Sequence, residues 1–196
     1  MTQNTVETTT VLMCGIGGQG TITAADLLAK TATASGLMVK MSEIHGMSQR
    51  GGAVTTIVRF GTEVHSMVCD RGQADCILSF EITEALRNIH FLKPGGSLLV
   101  NSEAIKPQSV LTGKAMMPPR MEDRLRQYGG KIFPATELAR QAGTTKCANV
   151  VLLGALASAL PFELELWESI IASKVPPKTI DMNIQAFRSG LAAVSD

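Results

Sequence analysis

The chain has 196 residues and a mass of 20.8 kDa, room for one sizeable core but not for a multi-cofactor redox enzyme. Hydrophobic residues make up 45% and charged residues 18%, which excludes wholesale disorder, and a formal net charge of +1 with no basic run leaves little with which to grip nucleic acid. The four cysteines, at 14, 69, 76 and 147, form no CxxC pair and no cluster-type or zinc-type ligand run. The opening MTQNTVETTT lacks a signal-peptide pattern, and no apolar run reaches the ~18 residues of a membrane span. The expectation is a cytoplasmic protein with free thiols, without membrane or nucleic-acid partners.

In chain order, Val11 to Cys14 reads as a buried strand entering Gly15-Ile16-Gly17-Gly18-Gln19-Gly20, followed by an alanine-rich helix ending near Gly36. Val39 to Ser42 reads as a second strand, parallel to the first through the helical crossover. Ala53 to Phe60 and Glu63 to Val68, joined by Gly61-Thr62, read as a β-hairpin, which makes the sheet mixed. Strands are then expected at Cys76 to Phe80, Ser97 to Asn101 and Lys131 to Ala135, and helices at Glu81 to Leu92 and Met121 to Tyr128. Between Lys106 and Pro119 the reading is loop with one short strand. Helices at Glu137 to Ala142, Asn149 to Leu160, Glu163 to Ser173 and Ile180 to Val194, broken by Pro161 and Pro176-Pro177, complete the chain. The expected fold is α/β: one domain over residues 1–196, a three-layer Rossmann-like mixed sheet with an inserted hairpin and a helical C-terminal third.

Gly15-x-Gly17-x-x-Gly20, between strand and helix, has the spacing that lets backbone approach a phosphate at a helix N-terminus. Gln19 places an amide in that loop, and Glu43 stands 23 positions after Gly20, near the spacing of a ribose-binding acid. The glycines equally suit plain strand-to-helix packing. A second polar cluster runs from Ser42 to Gly52, in which Ser48, Gln49 and Arg50 are candidate anion-binding groups beside His45. Each also has a plain structural reading, and no nucleophile, base and orienter can be assembled from sequence.

The glycine loop, the run His45-Gly46-Met47-Ser48-Gln49-Arg50-Gly51-Gly52, Val58-Arg59-Phe60-Gly61 and Asn149 to Leu156 together resemble the gamma subunits or domains of 2-oxoacid:ferredoxin oxidoreductases, most of all the indolepyruvate branch. That resemblance implies a subunit assisting CoA-dependent oxidative decarboxylation of a 2-oxoacid such as an aryl pyruvate, with ferredoxin as the eventual electron acceptor. It implies that thiamine diphosphate and the iron–sulfur clusters lie on a partner chain and that this chain is inactive alone; a homodimer of the isolated chain is a further expectation. It places Gly15, Gly17, Gly18, Gln19, Gly20, Ser48, Gln49 and Arg50 on the CoA side of the site, with His45 a candidate for proton transfer. Two other readings stay open at this point: a free-standing NAD(P)-binding oxidoreductase using Glu43, and a non-catalytic assembly module whose small residues Ala155, Ala157 and Ala159 dock a partner. The identity of the 2-oxoacid is not written in this chain.

Overall fold

A computed structural model describes residues 5–46 and 52–195. Six strands, β1 (Thr9–Ile16), β2 (Met38–His45), β3 (Ala53–Gly61), β4 (Ala74–Ser79), β5 (Leu92–Asn101) and β6 (Lys131–Phe133), form one sheet in the order β2-β3-β1-β4-β5-β6. β1, β4, β5 and β6 are parallel, whereas β3 runs antiparallel to both its neighbours, β1 and β2. The helices are α1 (Thr21–Ala34), α2 (Ile82–Asn88), α3 (Gln108–Leu111), α4 (Met121–Arg126), α5 (Ala135–Gln141), α6 (Ala148–Ala157), α7 (Leu164–Lys174) and α8 (Ile180–Ala192).

Side-chain alternation along the central strands divides the interior into two cores. Val11, Met13, Val58, Phe60 and Leu78 pack toward α1 and α5 to α8; Leu12, Ile57, Ile77 and Leu98 pack toward α2 and α4. Burial on both faces is why β1 and β4 read as unbroken apolar runs. Trp167 of α7 is fully buried, its ring 5.9 Å from Phe162 and 6.1 Å from Phe187 of α8. The α/β class, the mixed sheet and the helical C-terminal third are as expected. Among the described residues no helix is long and apolar enough to cross a membrane.

One expectation is met with an addition and two need correction. β1 and β2 run the same way, as expected, with β3 inserted between them. The antiparallel partners of β3 are β1 and β2, and residues 63 to 68, expected as its hairpin partner, form no strand. That segment crosses the sheet as a strap. Its carbonyls accept hydrogen bonds from side chains instead of a backbone ladder: Arg59 Nη1 donates to Ser66 O at 3.1 Å and Val68 O at 2.9 Å, Lys40 Nζ to His65 O at 3.1 Å, and Ser42 Oγ to Met67 O at 3.3 Å. Thirdly, the segment from Lys106 to Pro119 holds the short helix α3 and no strand.

The small residues of α6 serve the core, since Ala155 and Ala157 are buried while Ala159 is exposed. The close helix contact is made by glycines instead. A Cβ on Gly190 of α8 would lie 1.7 Å from Val151 O, and one on Gly154 of α6 would lie 1.9 Å from Phe187 O, so the two backbones touch where only glycine fits.

Candidate functional site

The carboxyl ends of β1, β4, β5 and β6 converge on the loop from Gly15 to Gly20, where open α/β sheets place their ligands. Gly20 caps α1 with φ 87° and Gly18 has φ 101°, left-handed values that a side chain resists. Gly15 is needed for another reason: a Cβ there would lie 2.7 Å from both Gln19 Oε1 and Phe80 Cβ. The loop is tied down by Gln19, whose Oε1 accepts from Ile16 N–H at 2.7 Å and whose amide donates to Phe80 O at 3.3 Å. On its other side, Gly17 N–H donates to Gly52 O at 2.9 Å. The first N–H groups of α1, a helix with no acidic residue in its first turn, therefore open at a rigid position.

Two clefts flank this loop and share Gly18, Gly20 and Thr23. The first, about 470 Å³, lies between the loop, the ends of β4 and β5, and the start of α6; Asn101, Glu103, Thr136, Thr145, Lys146 and Asn149 line it. Asn101, buried at the end of β5, braces its floor. Its amide donates to Phe80 O at 3.1 Å and Thr136 Oγ1 at 3.2 Å, and its Oδ1 accepts from Ala135 N–H at 3.1 Å. Glu81, fully buried, caps α2 by accepting from the N–H groups of Thr83 and Glu84, and reaches Ile105 N at 3.3 Å. Exposed Lys146 supplies a cation and half-buried Glu103 an acceptor.

The second cleft, about 460 Å³, lies on the β2 side and is lined by Gly17, Thr21, Ile22, Glu43, His45 and Val54. His45 and Glu43 are exposed, and His45 Nδ1 lies 3.2 Å from Gly46 O. The structure thus brings His45 to the candidate glycines Gly17, Gly18 and Gly20. Candidates Ser48, Gln49 and Arg50 lie outside the described residues. Asn101, Thr136 and Lys146 were missed by sequence reading; the signal available was polar residues ending strands or opening a helix. The dinucleotide arrangement departs from this geometry, because with β3 interposed Glu43 is two strand spacings from β1, about 10 Å, instead of one.

All four thiols are buried. Burial pushes Cys14 and Cys76 up to about 12, and these two face opposite cores. Among the described residues no three His, Cys, Asp or Glu side chains form a group able to hold a metal ion. Buried, separated thiols held in the protonated state do not fit a cluster ligand set.

A domain of this topology, with a braced glycine loop at the carboxyl edge of a mixed sheet, is that of the oxidoreductase subunits to which residues 10–193 match, the family described as pyruvate ferredoxin/flavodoxin oxidoreductase, and the chain belongs to that family. Within it, the chain is similar to the indolepyruvate oxidoreductase subunit IorB of Thermococcus kodakarensis, 44% identical over 95% of this chain and 96% of that one. It is 30% identical to the 2-oxoglutarate synthase subunit KorC of Methanothermobacter thermautotrophicus over 92% of both. Among solved structures, the gamma subunit of a keto/oxoacid ferredoxin oxidoreductase from Geobacter sulfurreducens superposes with TM-score 0.71 at 27% identity, covering 95% of this chain and 98% of that one. The same fold occurs within a Magnetococcus marinus 2-oxoglutarate:ferredoxin oxidoreductase solved with 2-oxoglutarate, coenzyme A and succinyl-CoA, with TM-score 0.73 at 20% identity over 96% of this chain and 31% of that one. The resemblance read from the sequence motifs is the family found.

Proposed function

We propose that this chain is the gamma-type subunit, a single unit over residues 1–196, of an indolepyruvate or other aryl-pyruvate:ferredoxin oxidoreductase in the cytoplasm, and that it receives coenzyme A. The observation that carries the reading is the first cleft, whose lining combines the rigid glycines at the N-terminus of α1 and Lys146 with Glu103 and Thr136. CoA has both kinds of group: phosphates suited to backbone N–H and cationic donors, and a pantetheine arm whose amides need acceptors and hydroxyl partners. A volume of about 470 Å³, open to the sheet edge, suits part of so extended a ligand.

In this reading thiamine diphosphate and the iron–sulfur clusters belong to a catalytic partner chain and supply the decarboxylation and electron transfer. This chain holds CoA in orientation and keeps water from the reacting centre, a role in which positioning alone lowers a barrier by several kcal/mol. Arg50 adds a forked donor for phosphate, and His45, across the shared Gly18 and Gly20 in the second cleft, would take the proton of the CoA thiol. The isolated chain is inactive.

Affinity purification of the tagged chain from anaerobic native extract tests this. The expected companion carries thiamine diphosphate and clusters, and the pair turns over an aryl pyruvate only with CoA and ferredoxin. An isolated chain that oxidises a 2-oxoacid by itself contradicts the proposal. So does a reconstituted complex in which Arg50→Ala changes neither CoA affinity nor turnover, the result of a pure assembly module.

A further inference from the structure

We propose that β2 pairs with β2 of a second copy of this chain, joining the two six-stranded sheets across a two-fold axis beside Met41. The inference goes beyond the catalytic reading and does not depend on it. β2 is the end strand of the sheet and largely exposed, with Met38 47%, Met41 40% and Ile44 64% accessible and neither proline nor bulge to blunt the edge.

The phase of that edge is fixed by its inner neighbour. Gly46 N–H donates to Ala53 O at 3.3 Å, in the same register that sets Lys40 opposite Arg59. Even-numbered residues of β2 therefore turn their backbone groups toward β3, and Val39, Met41 and Glu43 turn theirs outward. In a symmetric antiparallel pair, opposed residues must also share a sheet face. A register centred on Lys40 opposes two ammonium groups, and one centred on Glu43 opposes two carboxylates. Centring on Ser42 sets Met41 against Glu43 and Lys40 against Ile44, apolar against charged both times. Centring on Met41 sets Met41 against Met41 and Met38 against Ile44, so the exposed apolar side chains meet, and it aligns outward Val39 with outward Glu43 for hydrogen bonding. Lys40 is turned away onto His65 O at 3.1 Å, which clears the seam.

Sedimentation velocity of the full chain at tens of micromolar, with cysteine cross-linking, tests the proposal. Because the four native thiols are buried, a thiol introduced on β2 reports alone. The expected result is a dimer that Met41→Cys links by a disulfide on air oxidation and Ser42→Cys does not. Met41→Lys should weaken self-association at least about tenfold while leaving the far-UV circular dichroism spectrum unchanged. A monomeric chain overturns the proposal, as does linkage through Ser42→Cys in place of Met41→Cys. If the chain is a monomer and Met41→Lys abolishes binding to the catalytic companion, the edge belongs to that partner and the proposal fails.

Discussion

The two clefts beside the glycine loop are built in opposite ways. On the α6 side, buried Asn101 and Glu81 and half-buried Gln19 knit β1, β4 and β5 together beneath the opening. On the β2 side, exposed Glu43 and His45 project from an edge strand with little behind them. A ligand that must be held in one orientation is served by the first; the second is accessible to whatever approaches the sheet edge. Stability and function should therefore separate between the two sides when each is mutated.

The largest effect is expected at the support of the braced side. Gly190→Val forces a side chain into Val151 O of α6, the helix that closes the first cleft, and should cost more than about 3 kcal/mol or prevent folding, read by circular dichroism and soluble yield. Asn101→Leu leaves buried Ala135 N–H without its acceptor and Phe80 O with Gln19 as donor, and should cost about 1–3 kcal/mol in urea unfolding. In the central strands, Cys14 and Cys76 are raised from 9.0 to about 12, so the folded state keeps protons that the unfolded chain gives up. Their contribution to stability is whole below pH 9 and declines as pH rises from 9 toward 12; unfolding at pH 7 and pH 10 should differ in that direction, with native thiols resisting alkylation until the protein unfolds. On the open side, His45→Ala should change stability by no more than about 0.5 kcal/mol while slowing CoA-dependent turnover of the reconstituted complex. Equal destabilisation by Asn101→Leu and His45→Ala would erase the distinction between the clefts.

What the sequence made legible follows the same division. Strands buried on both faces, such as Val11 to Cys14 and Cys76 to Ser79, announce themselves by composition, and the glycine spacing places the loop. The strap at 63 to 68 reads as a strand because it alternates polar and apolar; its carbonyls are bound instead by side chains, Arg59 of the preceding strand and Lys40 and Ser42 of the more distant β2, which periodicity does not encode. The position of β3 between β1 and β2 is likewise a matter of topology. Asn101 and Lys146 were missed because a strand-ending amide and a surface lysine are common, and only the fold brings them to the glycine loop. Gly154 and Gly190, unremarked among many glycines, become necessary only once α6 and α8 cross.

The account stands on the first cleft receiving CoA. The direct measurement is the KM for CoA and for the 2-oxoacid in the complex reconstituted with Lys146→Glu, which reverses the charge of the cation lining that cleft. The expected result is a CoA KM raised at least about tenfold with the 2-oxoacid KM within about twofold. An unchanged CoA KM would place CoA elsewhere in the assembly and contradict the account.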